Sequence, residues 1–201
     1  MTLLPETDTI ETERLILRRM DDSDLAFLIA IHADPDVARY IGSGNPRSAA
    51  ETEQWFADVL DSYRDAGLGP LIVLRKADGV RLGRSGLSDG VIEVAPRPGT
   101  LRRMWFFSAH VPQGLVVEKQ PELGYTFARE NWGLGYASEA ARAVSDYARA
   151  KLTHPAVMSV IHADNIASRS VALKFGVRYA DDVDMNGMVY QRYLWPGFGN
   201  G

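Results

Sequence analysis

The stretch Glu122-Leu-Gly-Tyr-Thr-Phe-Ala-Arg-Glu-Asn-Trp-Gly-Leu-Gly-Tyr-Ala-Ser-Glu-Ala-Ala141 decides the reading of this chain. An alternating, aromatic-rich segment runs into a glycine-rich turn, and the turn opens into an alanine-rich helical pattern. Strand, turn and helix N-terminus together make a phosphate cradle. Glycine lets the backbone approach a ligand closely, and the first-turn N–H groups and the positive end of the helix dipole favour anionic oxygens. No Gly-Lys-[Ser/Thr] ends the turn, so it is not a Walker loop. It also lacks the Gly-x-Gly-x-x-Gly spacing of a dinucleotide fold.

Outward from this stretch the elements mix without strict alternation. Thr12 to Met20 reads as a first strand. Asp21-Asp22-Ser23-Asp24 offers N-cap chemistry for a helix through Leu25, Leu28 and Ile29 that Pro35 stops, and a short helical piece follows near Asp36 to Tyr40. Ser48-Ala-Ala-Glu51 is a capping-box pattern for a helix with Trp55, Phe56, Val59, Leu60 and Tyr63 on one face, ended by Gly67 and Gly69. Pro70 to Lys76 and Val80 to Leu87 flank an Asp78-Gly79 hairpin turn. Within 88–117, Val91 to Val94 and Met104 to Phe107 form an extra hairpin before a core strand from Val116 to Phe127. A helix spans about Tyr136 to Lys151, with Ala140, Ala141, Val144, Tyr147 and Ala148 at helical spacing. Val157 to Ala163 is a strand, and Asn165 caps a short helix closed by Gly176. Val177 to Tyr179 and Met188 to Trp195 close the fold around Asn186-Gly187, and Pro196 to Gly201 frays. The expected fold class is α+β: a mixed, largely antiparallel twisted sheet flanked by helices, in one domain over 1–201.

Composition narrows the function classes. With 201 residues, 46% hydrophobic and 24% charged, the chain reads as an ordinary globular protein able to bury a real core. A net charge of −4 gives no bulk attraction for nucleic acid. There is no cysteine, which removes disulfides, thiolate metal sites and a cysteine nucleophile, and fits a reducing cytoplasm. The start is acidic and lacks a basic, apolar leader, and no apolar run approaches the length of about 18 residues that a membrane span needs. His32, His110, His154 and His162 have no metal-ligand spacing, so no metal is expected. The acid pairs Asp21-Asp22 and Asp181-Asp182 read as solvated caps and turns.

Gly133-Leu-Gly-Tyr-Ala137 fits the pattern [Gln/Arg]-x-x-Gly-x-[Gly/Ala], with Trp132 standing where the pattern has Gln or Arg. On this motif the chain resembles the GNAT superfamily of acyl-CoA-dependent N-acyltransferases, and most of all the branch with the ribosomal-protein N-terminal acetyltransferases. His162-Ala-Asp-Asn165-Ile-Ala-Ser168 is similar to the family's Asn-x-x-Ser segment after the fifth core strand. Glu11-Thr-Glu-Arg-Leu-Ile-Leu-Arg18 is similar to the branch's first strand. The motifs occur in order over roughly 12–193; the stretch 88–117 has no clear counterpart.

The resemblance implies a site. The cradle Gly133, Leu134, Gly135, Tyr136, Ala137 and Ser138 would hold the pyrophosphate of acetyl-CoA, with Trp132 over the adenine or anchored in the core. The strand would splay so that the backbone of Tyr125, Thr126 and Phe127 pairs with the pantetheine arm, the Phe127 N–H polarising the thioester carbonyl. Asn165 would hydrogen-bond the same arm. Alternation places Glu118, Gln120, Glu122 and Thr126 on one strand face, and Glu122, ahead of Glu118, is the preferred base for the amine proton; a salt-bridging carboxylate is the alternative. Ala172 stands where many relatives carry a proton-donating Tyr, so Ser168 or a water would protonate the thiolate, although Ser168 also suits a helix start. Trp105, Phe106 and Phe107 are assigned to burial of the hairpin ahead of an acceptor pocket or a homodimer face. His110 is a remote further base. The implied activity is acetyl transfer from acetyl-CoA to a primary amine, on a protein N-terminus or a small molecule, by direct attack. An aminoglycoside or polyamine acceptor, or a non-catalytic acyl-CoA sensor, are the rivals.

Overall fold

Caps and turns set most element boundaries in the computed structural model, which describes residues 9–151, 156–185 and 187–198. Along the chain run β1 (Ile10–Glu11), β2 (Leu15–Arg18), α1 (Leu25–Ala33), α2 (Pro35–Ala38), α3 (Ala49–Asp65), β3 (Gly69–Arg75), β4 (Arg81–Ser88), β5 (Gly90–Glu93), β6 (Arg103–Phe107), β7 (Val117–Lys119), β8 (Glu122–Phe127), α4 (Tyr136–Lys151), β9 (Met158–His162), α5 (Ile166–Leu173), β10 (Arg178–Met185) and β11 (Met188–Leu194). They divide into two units, Met1–Leu87 with Leu123–Leu152, and Ser88–Glu122 with Thr153–Gly201. The α+β class holds; β1–β2, β2–β3, β3–β4, β5–β6, β5–β7, β9–β11 and β10–β11 pair antiparallel, and β8–β9 and β6–β10 pair parallel.

In the first unit the strand order is β1-β2-β3-β4-β8. The single first strand expected over 12–20 is two strands, because Thr12 folds the chain back: its N–H donates to the Leu15 carbonyl (3.0 Å) and its hydroxyl oxygen accepts the Leu15 N–H (2.9 Å). Leu15 and Leu17 are fully buried. Asp21 caps a 3-10 turn over 22–24 that feeds α1. Ser48 and Glu51 cap α3 reciprocally, and Phe56, Val59 and Tyr63 form its buried face together with Thr52. Asp24 is fully buried and accepts from Arg18 Nη1 (2.8 Å) and Nη2 (2.9 Å), from Arg81 Nε (2.7 Å) and from the Asp21 N–H (3.0 Å).

The second unit orders its strands β9-β11-β10-β6-β5-β7. The expected hairpin is β5–β6, with Val91 opposite Phe106 and Ile92 opposite Trp105. It is integral to its sheet: β6 runs parallel to β10, and Ile92 and Trp105 join Met158, Val183 and Tyr190 in one buried cluster. Trp105 is 3% exposed, as hairpin burial requires, while Phe107 is partly open.

Two expectations need correction here. The strand expected from Val116 to Phe127 is β7 and β8, interrupted at Gln120-Pro121; a proline has no N–H for a ladder and ends the pairing. β7 pairs with β5, so Glu118 and Glu122 are not on one continuous strand face. Asp181 is not a solvated turn residue. It accepts from Arg103 Nη2 (2.6 Å) and Arg192 Nε (2.6 Å), and Arg192 Nη1 donates to Gln120 Oε1 (2.6 Å), which ties the hairpin to β10 and β11. Asn186 of the closing turn and the last residues, 199–201, lie outside the described residues, and Phe198 is buried.

Candidate active site

The cradle forms in the first unit where β8 leads through a 3-10 turn (Arg129–Asn131) into α4. Gly133 (φ 75°) and Gly135 (φ 82°) lie in the left-handed region that favours glycine. A Cβ added at Gly133 would meet nothing within 4 Å, and at Gly135 only Arg14 Nη2 at 3.3 Å. The turn therefore presents bare backbone. The bond from the Glu139 N–H to the Gly135 carbonyl (3.1 Å) starts α4, so the amides of Tyr136, Ala137 and Ser138 belong to the helix's N-terminal end, where anions are favoured.

Arg14 braces this turn. Its guanidinium donates to the Leu134 carbonyl (3.0 Å), sits 4.7 Å from the Tyr136 ring centroid and pairs with Glu139 (2.7 Å). Glu139 also accepts from Thr12 Oγ1 (2.5 Å) and the Arg14 N–H (2.9 Å). Burial works against the Glu139 carboxylate, but these hydrogen bonds outweigh it and hold its pKa below the usual range. Arg14 thus neutralises the one acid in the first turn of α4, which would otherwise repel an anion at the cradle. No local pattern marks Arg14 for this role; it faces the turn only because β2 and α4 fold side by side within this unit.

Trp132 is 48% exposed, which corrects the core-anchor option. Its indole N–H donates to the Phe127 carbonyl (2.8 Å) and fixes that peptide. Thr126 and Phe127 are buried, Tyr125 half-buried.

In the second unit, Glu122 opens β8 opposite Met158, whose N–H donates to the Pro121 carbonyl (2.9 Å). Glu122 is half-buried near Tyr190. Burial first, and then the charge of Glu122, push the Tyr190 hydroxyl up to about 12, so it stays protonated at neutral pH. Tyr190 also packs edge-on to His162, centroids 5.7 Å apart. Sequence reasoning missed Tyr190, which read as an ordinary strand aromatic. Asn165 caps α5, its Oδ1 accepting the Ser168 N–H (3.1 Å); its NH2 is the donor that remains. Ser168 is half-buried in the first turn, and Ala172 is fully buried where the resemblance has a Tyr. Glu118 is 52% exposed at its side chain and lies 3.8 Å from Arg103. Among the described residues no cluster of three or more His, Asp or Glu could hold a metal, and no helix is long and apolar enough to cross a membrane.

Residues 14–178 match the family model of the acetyltransferase (GNAT) domain. The uncharacterised protein YkkB of Bacillus subtilis strain 168 is 31% identical over 173 residues, 86% of each chain. An acetyltransferase of Agrobacterium tumefaciens strain C58, known as a crystal structure, is 26% identical with a TM-score of 0.67, over 92% of this chain and 94% of its own. RimL, a ribosomal L7/L12 α-N-protein acetyltransferase solved with coenzyme A, shares the fold at 13% identity, with a TM-score of 0.67 over 94% of this chain and 96% of its own.

Proposed function

We propose, from the premise that the chain belongs to the GNAT acetyltransferase family and is an acetyl-transferring enzyme, that its acceptor is a primary amine, on a peptide N-terminus or a small molecule, and that Glu122 takes the amine proton. The observation that carries the coenzyme half is the bare turn at Gly133 and Gly135 on the N-terminus of a 16-residue helix, with Arg14 beside it. The residues present fit a pyrophosphate: backbone amides, a helix dipole and one guanidinium, with no side chain on the turn glycines.

Acetyl-CoA supplies the activated acetyl group. The protein's own groups do the rest. The backbone from Gly133 to Ser138 holds the pyrophosphate, with Trp132 against the adenine. Backbone groups of Tyr125, Thr126 and Phe127 pair with the pantetheine, and the Asn165 NH2 donates to it. The Phe127 N–H stabilises charge on the acetyl oxygen; the Trp132 indole, bonded to the carbonyl of the same residue, keeps that segment rigid. Glu122 accepts the amine proton, with the protonated Tyr190 hydroxyl close enough to feel its charge. Ser168 or a water returns a proton to the departing thiolate. Transfer is direct, since the chain has no cysteine to carry an acyl group, and no metal takes part. Residues 1–201 act as one catalytic domain, supported by a family match that runs through both units. A chain free of cysteine suits the cytoplasm.

The test is an amine screen read by free-thiol release, followed by Glu122→Gln with Glu118→Gln in parallel. Glu122→Gln keeps the shape and removes the basicity. It should lower turnover by about 10²–10⁴-fold with acetyl-CoA affinity nearly unchanged. Near-parental turnover in Glu122→Gln with loss in Glu118→Gln would move the base to β7.

A further inference from the structure

The second unit holds an open groove that none of the chemistry above uses. β6 runs parallel to β10, but the two pair only where Arg103 faces Val183 and Met104 faces Asp184. The chain before Arg103 and the strand before Val183 continue without pairing. The gap between them has a volume of about 520 Å³, with Pro96, Leu101 and Arg102 on one wall and Tyr179 to Asp182 on the other. That volume lies within the roughly 300–1,000 Å³ usual for ligand sites.

Backbone, apolar surface and charge each bear on what the groove takes. β10 extends back to Arg178, and over Arg178 to Asp182 its one strand partner among the described residues is β11. The other edge of this stretch keeps backbone N–H and C=O groups for a further strand. At about 3.3 Å per residue that edge is roughly 16 Å long. Leu101, 91% exposed, and Tyr179, 55% exposed, border it with apolar surface. Asp181 is held by Arg103 and Arg192, and Asp182 accepts the Tyr179 hydroxyl (3.0 Å). Arg102 is half-buried in the wall, and among the described residues its guanidinium has no ion pair and no hydrogen bond. Arg178, exposed at the start of the strand, has no ion pair among them either.

We propose that the groove docks an extended acidic peptide segment of a partner protein. The segment adds as a strand to the outer edge of β10, sets a carboxylate on Arg102, and lays apolar side chains against Leu101 and Tyr179. A strand edge holds any peptide backbone, and the charge and apolar surface beside it select the side chains. The two guanidiniums without a counter-charge favour an acidic segment over a basic one. All the groups involved belong to the second unit, and the proposal is independent of the acetyl-transfer reading.

The experiment uses the full chain and six-residue peptides of alternating valine and threonine, blocked at both ends. Glutamate, glutamine or lysine is placed at each position in turn, and further versions carry N-methyl groups on the odd or on the even residues. Calorimetry reads affinity, and amide NMR shifts read the place. The best glutamate peptide should bind about three- to tenfold tighter than its glutamine counterpart, with the lysine peptide weakest. Arg102→Gln should level glutamate with glutamine, and Arg102→Glu should reverse the preference toward lysine; thermal melting checks that both variants fold. One methylation pattern should abolish binding and the other spare it, because a strand gives every second N–H to its neighbour. The largest amide shifts should fall on Tyr179 to Asp182. Equal affinity of glutamate and glutamine peptides, equal sensitivity to both methylation patterns, shifts centred on the edge of β7, or no binding at millimolar peptide would overturn the proposal. Glutarate alone shifting the same amides as strongly as the peptide would mean a small-acid site and overturn the peptide dock. Self-association of the chain, seen by sedimentation and abolished by Arg102→Glu, would give the groove to a second copy and overturn the partner assignment.

Discussion

Asp24 and His32 are both buried beside two arginines, and the two neighbourhoods are otherwise opposites. Asp24 brings one negative charge to Arg18 and Arg81, and its two oxygens accept four hydrogen bonds within 3.0 Å. His32 brings no charge to Arg47 and Arg84, and both its nitrogens lack a partner. The first arrangement is closed: Asp21, 3.1 Å from Arg18 Nη1, supplies the second negative charge, and the Asp24 acceptors are used. The second is open at His32 and Arg47: two ring nitrogens and a buried Arg47 Nη1 without hydrogen bonds, beside a small cavity. A closed buried network holds elements in register, here β2, the turn before α1 and β4. An open one costs stability in the free protein and is expected to persist where a ligand completes it. The cradle belongs with the open kind, since its backbone faces empty space over Gly133 and meets only Arg14 Nη2 over Gly135.

The largest effect that separates the two neighbourhoods is on stability. Asp24→Asn leaves two guanidiniums around a neutral group and should cost about 3–5 kcal/mol in urea unfolding, as breaking a buried pair does. A loss under about 1 kcal/mol would mean the network is not the closed anchor described. Acid pH gives the next effect, with distinct windows. Burial alone would raise the Asp24 pKa, but its bonds to Arg18, Asp21 and Arg81 bring it below the usual value. Its contribution is therefore present above an unfolded pKa near 3.8 and is lost as pH falls through the folded value. His32 is depressed from 6.5 to about 2, so the unfolded chain takes up its proton first and stability begins to fall already below pH 6.5. At pH 5 that term amounts to roughly 2 kcal/mol. His32→Phe should abolish the loss between pH 8 and pH 5 while Asp24 still governs the lower window. The smallest effect is that of His32→Phe at pH 8. It removes unpartnered polar atoms but adds volume, and should shift stability by less than about 1.5 kcal/mol either way. A drop well beyond that would mean the imidazole is satisfied in the free protein.

What the sequence disclosed follows the same division. Local chemistry was legible. The Ser48–Glu51 box starts α3, the cradle motif opens α4 at Tyr136, and Asn165 caps α5, because each signal lies within a few residues of its effect. The break at Gln120-Pro121 was hidden by an alternation that continues across it, so one proline outweighed the pattern on either side. Asp181 looked like a turn residue because its partners, Arg103 and Arg192, come from distant strands. Arg14 beside the cradle, Tyr190 beside Glu122, and the gathering of His32, Arg47 and Arg84 on Trp55 share that cause. Each is a long-range meeting of side chains, and no spacing along the chain announces it.

Coenzyme binding at the cradle is tested most directly by calorimetry of acetyl-CoA on Gly135→Ala, with Gly79→Ala as its control. Both glycines have positive φ, 82° and 71°, so each alanine should cost about 1–2 kcal/mol of stability for the same backbone reason. Only Gly135 lies on the cradle; Gly79 turns the β3–β4 hairpin. If the pyrophosphate rests on the turn, Gly135→Ala loses affinity by tenfold or more while Gly79→Ala binds like the parent. Unchanged affinity in a folded Gly135→Ala protein, or equal losses in both variants, would contradict the site.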